Sequence, residues 1–350
     1  MPATPSVRII ASRPLSNSQG HDLLGHYLGL SSRKVSGWTG SPWQVFFAKL
    51  LRCFSPYRTL RPERAYHLFL ANWLPARGEL LHFTWGDAIL EATHRPDRGI
   101  FTLHQPHERW SQSTWENIGK SAGIICMAER ECHEIRERYP DVRCTFIPHG
   151  IDLDFWRPLP DPPKRQICAV GQYMRNFGMM LRVAQTLLDL HPDLVFRWVV
   201  NPDFKVSSAL RAKLPRERFE ILQNLPAPEL HRLYAESWLF CTPYDNVVAS
   251  NAIVESMASG TPIFTTKVGG MSSYAGDGII TMVENNDDAA LVKAATECLG
   301  SPGLRSELSI RGRRHAEKYF GWPTVIAEHG AYYANVLAGM SDQTMTPKAR

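Results

Sequence analysis

Much of what would announce a hydrolytic, redox or membrane-spanning protein is missing from this sequence. There is no run of about 18 apolar residues, so no segment reads as a transmembrane helix. The first ten residues lack the basic region and apolar core of a signal peptide. Cysteines 53, 126, 132, 144, 168, 241 and 298 include no C-x-x-C pair and no spacing that a zinc site or disulfide framework would need. Several sit in apolar runs such as Ile124-Ile125-Cys126 and Phe240-Cys241, where a free thiol behaves as a small hydrophobe. A reducing cytoplasm follows as the expected location. No G-x-G-x-x-G follows a strand, which removes the main support for a hydride-transferring dinucleotide enzyme. The nearest P-loop match, Gly20-x-x-x-x-Gly25, continues into His26 instead of Lys-Ser/Thr, and no G-x-S-x-G elbow occurs.

What is present suits two domains. The chain has 350 residues, 44% of them hydrophobic, enough for two cores. Its net charge of +5 lies entirely in residues 1–150, with 18 basic and 13 acidic side chains; residues 151–350 balance at 21 and 21. Within residues 33–77, Arg33, Lys34, Lys49, Arg52, Arg58, Arg61, Arg64 and Arg77 stand against a single acid, Glu63, which favours an anionic partner there.

Short apolar, β-branched runs alternate with longer helical patterns, the signature of βαβ units. Strands are expected at 7–11, 80–83, 100–103, 123–126, 144–147, 167–170, 196–200, 219–222, 239–241, 262–265 and 279–282. Helices are expected at 42–53, 64–74, 129–139, 179–190, 227–237, 251–259, 288–299 and 303–319. Four prolines in Arg157-Pro-Leu-Pro-Asp-Pro-Pro163 can continue neither a helix nor a central strand, and mark a hinge. The expected domains are 1–157 and 158–322, followed by a last helix at 323–338, with Pro323 in its first turn, and a flexible tail at 339–350. Two doubly wound domains facing a central cleft would bind ligand between the carboxyl ends of their sheets.

Tyr244 to Gly270 carries the most chemistry. Asn251 can cap a helix containing Ile253, Val254 and Met257, which Gly260 ends before the next strand. Small residues Ala249 and Ser250 before its start leave backbone N–H groups open to a diphosphate. Glu255, one turn in, is placed to accept both hydroxyls of a ribose; the alternative is a solvated helix charge.

This stretch resembles the nucleotide-sugar site of the family-four (group 1) retaining glycosyltransferases of the GT-B fold. Their pattern is an acid, seven residues, a Glu, then a Gly-x-Pro and a strand ending in a Gly-Gly loop. Here Glu255-Ser-Met-Ala-Ser-Gly-Thr-Pro262 is followed by Val268-Gly269-Gly270. The first acid would fall at Val247 and is absent, leaving Asp245 or Asn246 to replace it. Phe146-Ile-Pro-His-Gly-Ile-Asp-Leu-Asp-Phe-Trp-Arg-Pro158 resembles the family's interdomain signature. Gly171-Gln-Tyr-Met-Arg175 follows the second domain's first strand, where the family holds the donor diphosphate; Gln172 stands at the usual Arg position. Arg313 to Pro323 resembles the closing helix pair, whose last helix crosses back to the N-terminal domain.

The resemblance implies a glycosyltransferase (a hexosyl-transfer class enzyme) moving a sugar with retention from a nucleoside-diphosphate sugar to a hydroxyl acceptor, in polysaccharide or glycolipid synthesis. It implies donor contacts at Gly20, Gly171, Arg175, Asn246, Ser250, Asn251, Ala252 and Glu255, with His104, Arg175 and Glu255 serving catalysis. His104 ends the strand Ile100-Leu103 and would face the donor sugar. No cofactor and no metal are expected: Asp152-Leu-Asp154 spells a metal-binding D-x-D but reads as a turn cap. Leaving-group charge would then fall to Arg175 and the helix start at Ser250-Asn251. The departing diphosphate would itself take the acceptor's proton.

Lys49 and Arg52 lie beside Phe46, Phe47, Leu50 and Leu51 at helical spacing. They mark an acceptor or membrane surface, peripheral at the inner face of an anionic membrane, or else an ordinary helix with a solvated basic face. The rival readings are a nucleic-acid binder or nucleic-acid glycosyltransferase using residues 33–77, and a non-catalytic sugar-nucleotide binder.

Overall fold

The computed structural model describes residues 6–11, 24, 35–37, 41–53, 61–73, 79–160, 163–205, 212, 217–276 and 278–345. The chain divides into two units, one made of residues 1–150 and 322–350 and the other of 151–321. The division falls at Gly150/Ile151 and not at the proline-rich segment. Residues 152–157 are held by the second unit: Arg313 donates to the carbonyls of Leu153 and Trp156, and the Arg157 N–H to His231 Nε2.

In unit 1 the strands are β1 (Ser6–Ala11), β2 (Val35–Gly37), β3 (Glu79–Phe83), β4 (Gly99–Leu103), β5 (Gly123–Cys126) and β6 (Cys144–Phe146). They form one parallel sheet in the order β2-β1-β3-β4-β5-β6. Parallel sheets are covered on both faces, so their strands read as continuous apolar runs. Every residue of β4 and β5 is buried. The helices are α1 (Pro42–Leu51), α2 (Pro62–Trp73), α3 (Asp87–Ala92), α4 (Gln112–Ile118) and α5 (Glu129–Arg138). The short helices α3 and α4, and strand β2, have no counterpart in the sequence reading, being too short to show a period.

Unit 2 holds β7 (Lys164–Val170), β8 (Val195–Val200), β9 (Phe219–Gln223), β10 (Ser237–Cys241), β11 (Ile263–Thr266) and β12 (Ile280–Val283). They pair in parallel in the order β12-β11-β10-β7-β8-β9. Helices α6 (Phe177–Leu190), α7 (Ala227–Glu236), α8 (Asn251–Ala258), α9 (Asp288–Gly300) and α10 (Pro302–Tyr319) complete it. Its core joins Ile167, Phe196, Trp198 and Leu239 of the sheet to Met180, Val183 and Leu187 of α6 and Leu291 and Ala295 of α9.

The last helix, α11 (Trp322–Met345), belongs to unit 1. Trp322, Val325, Tyr332, Tyr333 and Val336 pack against Ile9, Leu80, Ile100 and Ile125. The helix continues past Gly339 to Met345, so most of the expected tail is helical. His82 of β3 fixes it in register, with Nδ1 2.7 Å from Tyr333 Oη and Nε2 2.7 Å from Thr102 Oγ1. No described helix is long and apolar enough to cross a membrane.

Candidate functional site

In unit 2 the strand order reverses at β7, which has β10 on one side and β8 on the other. The loops leaving the carboxyl ends of β7 and β10 diverge there, and ligands of open α/β sheets bind at such a point. Strand β7 ends at Val170, and Gly171 takes φ +89°, which side chains rarely adopt; a Cβ would lie 2.7 Å from Arg175 Nη2. Met174 holds φ +57° without being glycine, a local strain of the kind that collects at binding loops.

The bend returns Arg175 onto the loop. Its Nη1 donates to Tyr173 O at 2.7 Å and its Nη2 to Val170 O at 2.9 Å, with the guanidinium carbon 4.2 Å from the Tyr244 ring centroid. Arg175 therefore does not project freely, as a lone cation for a diphosphate would; two carbonyls and an aromatic face hold its charge at the switch point. Its Nε is buried without a hydrogen-bond partner. Donation from Asn176 N–H to Pro243 O and from Asp245 N–H to Met174 O, both at 3.0 Å, fastens the β7 and β10 loops together. Gln172 Oε1 accepts from Asn201 N–H at 2.8 Å, so the residue at the family's usual Arg position steadies the β8 loop.

Helix α8 begins one residue away from the expected cap. Ser250 is the N-cap and Asn251 the first helical residue. The Ser250 hydroxyl pairs at 2.8 Å with Tyr244 Oη, and no side chain caps the helix. The first N–H groups of α8, at Asn251 and Ala252, thus remain for an external acceptor, at the positive end of the helix dipole.

Glu255 is half-buried one turn on, with Oε2 accepting from the buried Tyr234 hydroxyl at 3.1 Å. Burial raises its pKa to about 7 against the opposing pull of that hydrogen bond. This is no solvated helix charge. Val247, where the family's first acid would stand, is buried. Asn246 Oδ1 accepts from Val247 N–H at 2.8 Å, whereas Asp245 is exposed. Gly269, at φ +52°, lies directly against Asn246 Oδ1 and Val247 O, and Gly270 N–H donates to Val247 O at 2.6 Å. The Gly-Gly loop therefore clasps the 245–247 turn. Asp152 Oδ1 accepts from the N–H groups of Asp154 and Phe155, both at 3.0 Å, a local turn cap.

In unit 1, His104 follows β4. Its ring stacks on Trp85 at 4.0 Å between centroids and 10° between planes, and lies 5.6 Å from the ring of His149. Asp87, the first residue of α3, accepts from the N–H groups of His104 and Gln105 at 2.9–3.1 Å and so shapes the turn that carries His104. Burial, then the neighbouring His104, pushes the His149 pKa down to about 3. Beside Trp85 opens a cavity of about 510 Å³ lined by Arg61, Arg64, Asp87, Gln105 and Arg109 among others. Gly20 lies outside the described residues.

Lys49 is exposed and Arg52 half-buried at the end of α1. The helix divides differently from its sequence pattern. Phe47 turns inward, 4.9 Å edge-on from Phe69, while Trp43, Phe46 and Leu50 stand 71%, 59% and 48% exposed.

Tyr234 and Tyr244 escaped the sequence reading. Each is fully buried, and a buried tyrosine supplies no period or motif of its own; only the fold shows that both hydroxyls point at the start and first turn of α8.

Two parallel α/β sheets of this order are the architecture of the GT-B glycosyltransferases, and solved structures of that class share it. Sucrose-phosphate synthase from Thermosynechococcus elongatus matches with a TM-score of 0.70 at 16% identity, over 96% of this chain and 100% of that one. Anabaena HepE in complex with UDP and glucose gives 0.68 at 12%, over 95% and 100%. Residues 151–315 match the model of the family Glycosyl transferases group 1. A D-inositol 3-phosphate glycosyltransferase of Thermobispora bispora is 27% identical over 240 residues, 61% of this chain and 56% of the relative. An MMP alpha-(1->4)-mannosyltransferase of Mycolicibacterium hassiacum is 25% identical over 198 residues, 55% of this chain and 48% of its own. The chain thus spans about half the length of these curated relatives.

Proposed function

We propose that this protein transfers a sugar from a nucleoside-diphosphate sugar to a hydroxyl acceptor with retention of configuration. The observation that carries the reading is the carboxyl edge of unit 2. There an uncapped helix start, the held charge of Arg175 and the half-buried Glu255 converge on one strand reversal. The free N–H groups of Asn251 and Ala252 take the diphosphate, Arg175 offsets its charge, and Glu255 accepts the ribose hydroxyls. Gly171 lets the backbone approach closely, and Asp245 or Asn246 reaches the sugar. The bond from the anomeric carbon to the β-phosphate oxygen breaks, the acceptor oxygen bonds to that carbon on the same face, and the acceptor proton passes to the departing phosphate. His104, held by Trp85 and by the turn on Asp87, hydrogen-bonds the sugar. The cavity beside Trp85 offers an aromatic face and mixed charges, a setting for a polyol acceptor. The UDP and glucose bound to HepE support this assignment by analogy of fold.

The test is a thermal-shift panel of nucleoside diphosphates and their sugars. One base should raise Tm by several degrees, and Glu255→Ala should reduce that shift to near zero. If no nucleotide stabilises the protein, the reading is wrong. The anomeric configuration of the product, read by NMR, decides retention.

A second reading concerns location. The exposed Trp43, Phe46 and Leu50 beside Lys49 suit insertion into an anionic bilayer interface, near a lipid-linked acceptor. Flotation with anionic vesicles that is lost in a Trp43→Ser, Phe46→Ser variant supports it; flotation equal in both overturns it.

A further inference from the structure

Outside the nucleotide-sugar machinery, the fold gathers three cysteines that the sequence leaves scattered. Ile124 is the register partner of Cys144, so Cys126, two residues on, shares the face of Cys144 at the β5–β6 edge. Cys132, on the second turn of α5, covers that face. The Sγ atoms of Cys126 and Cys144 lie 3.6 Å apart and those of Cys144 and Cys132 3.2 Å, all three atoms falling within 4.8 Å of one another. None is in a disulfide. The linear cysteine spacings do not show this grouping. The ligands come from two strands and a helix, and no linear C-x-x-C spacing would reveal them.

We propose that Cys126, Cys132 and Cys144 form a three-thiolate site for a soft d10 metal ion, with zinc the first candidate. A trigonal set at a metal–sulfur distance of about 2.3 Å places its sulfurs about 4 Å apart, so the observed separations need only small side-chain adjustments. Sulfur-only donors select zinc or monovalent copper over magnesium, calcium or manganese. The donors sit on rigid elements: the Tyr332 hydroxyl donates to Ile124 O at 3.1 Å and to Arg143 O at 2.8 Å, pinning β5 to the start of β6. Charge is also provided for. Three thiolates and a divalent ion leave one negative charge, and the Arg136 guanidinium, which donates to Cys144 O at 2.8 Å, stands beside it. On binding, each thiol gives its proton to solvent and each sulfur forms one bond to the metal. Cys126 and Cys132 are buried while Cys144 is half-buried, which gives an entry path from solvent.

The experiment titrates the reduced full-length protein with Cd²⁺, following thiolate-to-metal charge-transfer absorption. Alkylation with and without metal, mapped by mass spectrometry, then identifies the protected thiols. The expected result is one equivalent bound, protection confined to cysteines 126, 132 and 144, and at least ~100-fold weaker binding in Cys144→Ser. Zinc should displace the absorption competitively. Absence of a charge-transfer band at one equivalent, protection of other cysteines, or unchanged affinity in Cys144→Ser overturns the site. So does an air-formed Cys132–Cys144 disulfide in a protein that takes up no metal after reduction. If Cys144→Ser does not fold, the wild-type protection map alone decides.

Discussion

Glu255 is protonated about half the time near neutrality, because burial holds its pKa at about 7. A carboxylate accepts two ribose hydroxyls only when ionised, so nucleotide affinity should rise with pH through 7 and level off above 8. Calorimetric titration from pH 6 to 8.5 checks this, and a flat profile removes Glu255 from the ribose. The same group affects stability in the opposite sense. Its folded pKa is raised above the unfolded carboxylate value, so its contribution is fully present below about 4.5 and is lost as pH rises through 7. Glu255→Gln, which cannot ionise, should therefore raise the free energy of unfolding at pH 8 by an amount on the order of 1–3 kcal/mol, seen as a higher Tm, and change it little at pH 5. A variant more stable at pH 8 yet blind to nucleotide would locate the strain in the function. Glu255 was legible in the sequence through its place one turn into a helix with a small-residue approach. Its perturbation was not, because that comes from burial, which only the packed α7–α8 pair creates and which outweighs the opposing hydrogen bond from Tyr234.

Elements were legible in proportion to their length. Long periodic helices such as α6 and α9 and the apolar strands emerged nearly whole. The short α3, by contrast, was hidden, and with it the role of Asp87 in holding the His104 turn. Helix α8 was read with its cap one residue late. Asn and Ser cap helices about equally well, and here Tyr244 draws the Ser250 hydroxyl away from the helix and leaves its start bare. At Gly269 the loop geometry sets a sharper demand. Its positive φ and its contact with a backbone carbonyl leave no room for a methyl group. Gly269→Ala should cost at least ~1–2 kcal/mol and weaken nucleotide binding, because the 245–247 turn must shift. Gly303→Ala, in the first turn of α10 with nothing near its Cβ, should leave nucleotide binding unchanged and raise stability by at most ~0.4–1 kcal/mol, and serves as control. Denaturant melts and nucleotide titrations of the two variants check the pair. A mild Gly269→Ala would mean that the loop is not clasped.

The two units should respond differently to acid. Unit 1 buries His67, His82, His149 and His329 in neutral form; desolvation lowers their pKa values, to about 4, 3 and 4 for His67, His149 and His329. A depressed histidine contributes stability above its unfolded value of about 6.5 and loses it as pH falls toward the folded value. Glu255 in unit 2 acts with the reverse sign over the upper part of that range. Scanning calorimetry between pH 7.5 and 5 should show the unit 1 transition falling more steeply than that of unit 2. Parallel falls would contradict this. The burial of these histidines could not be read from sequence, since it depends on residues far away in the chain, as for His82 with Tyr333.

The ends of unit 2 meet. Ile151 and Gly321 form a parallel bridge, and Ile151 N–H donates to Phe320 O at 2.8 Å. On the other side of each crossing, Gly150 packs against the Trp322 ring. Unit 2 is thus an insertion between two halves of a host that closes only when α11 returns. The face of unit 1 that α11 covers is therefore completed by residues that follow all of unit 2 in the chain, so a cut within unit 2 would divide the polypeptide between the two parts of unit 1.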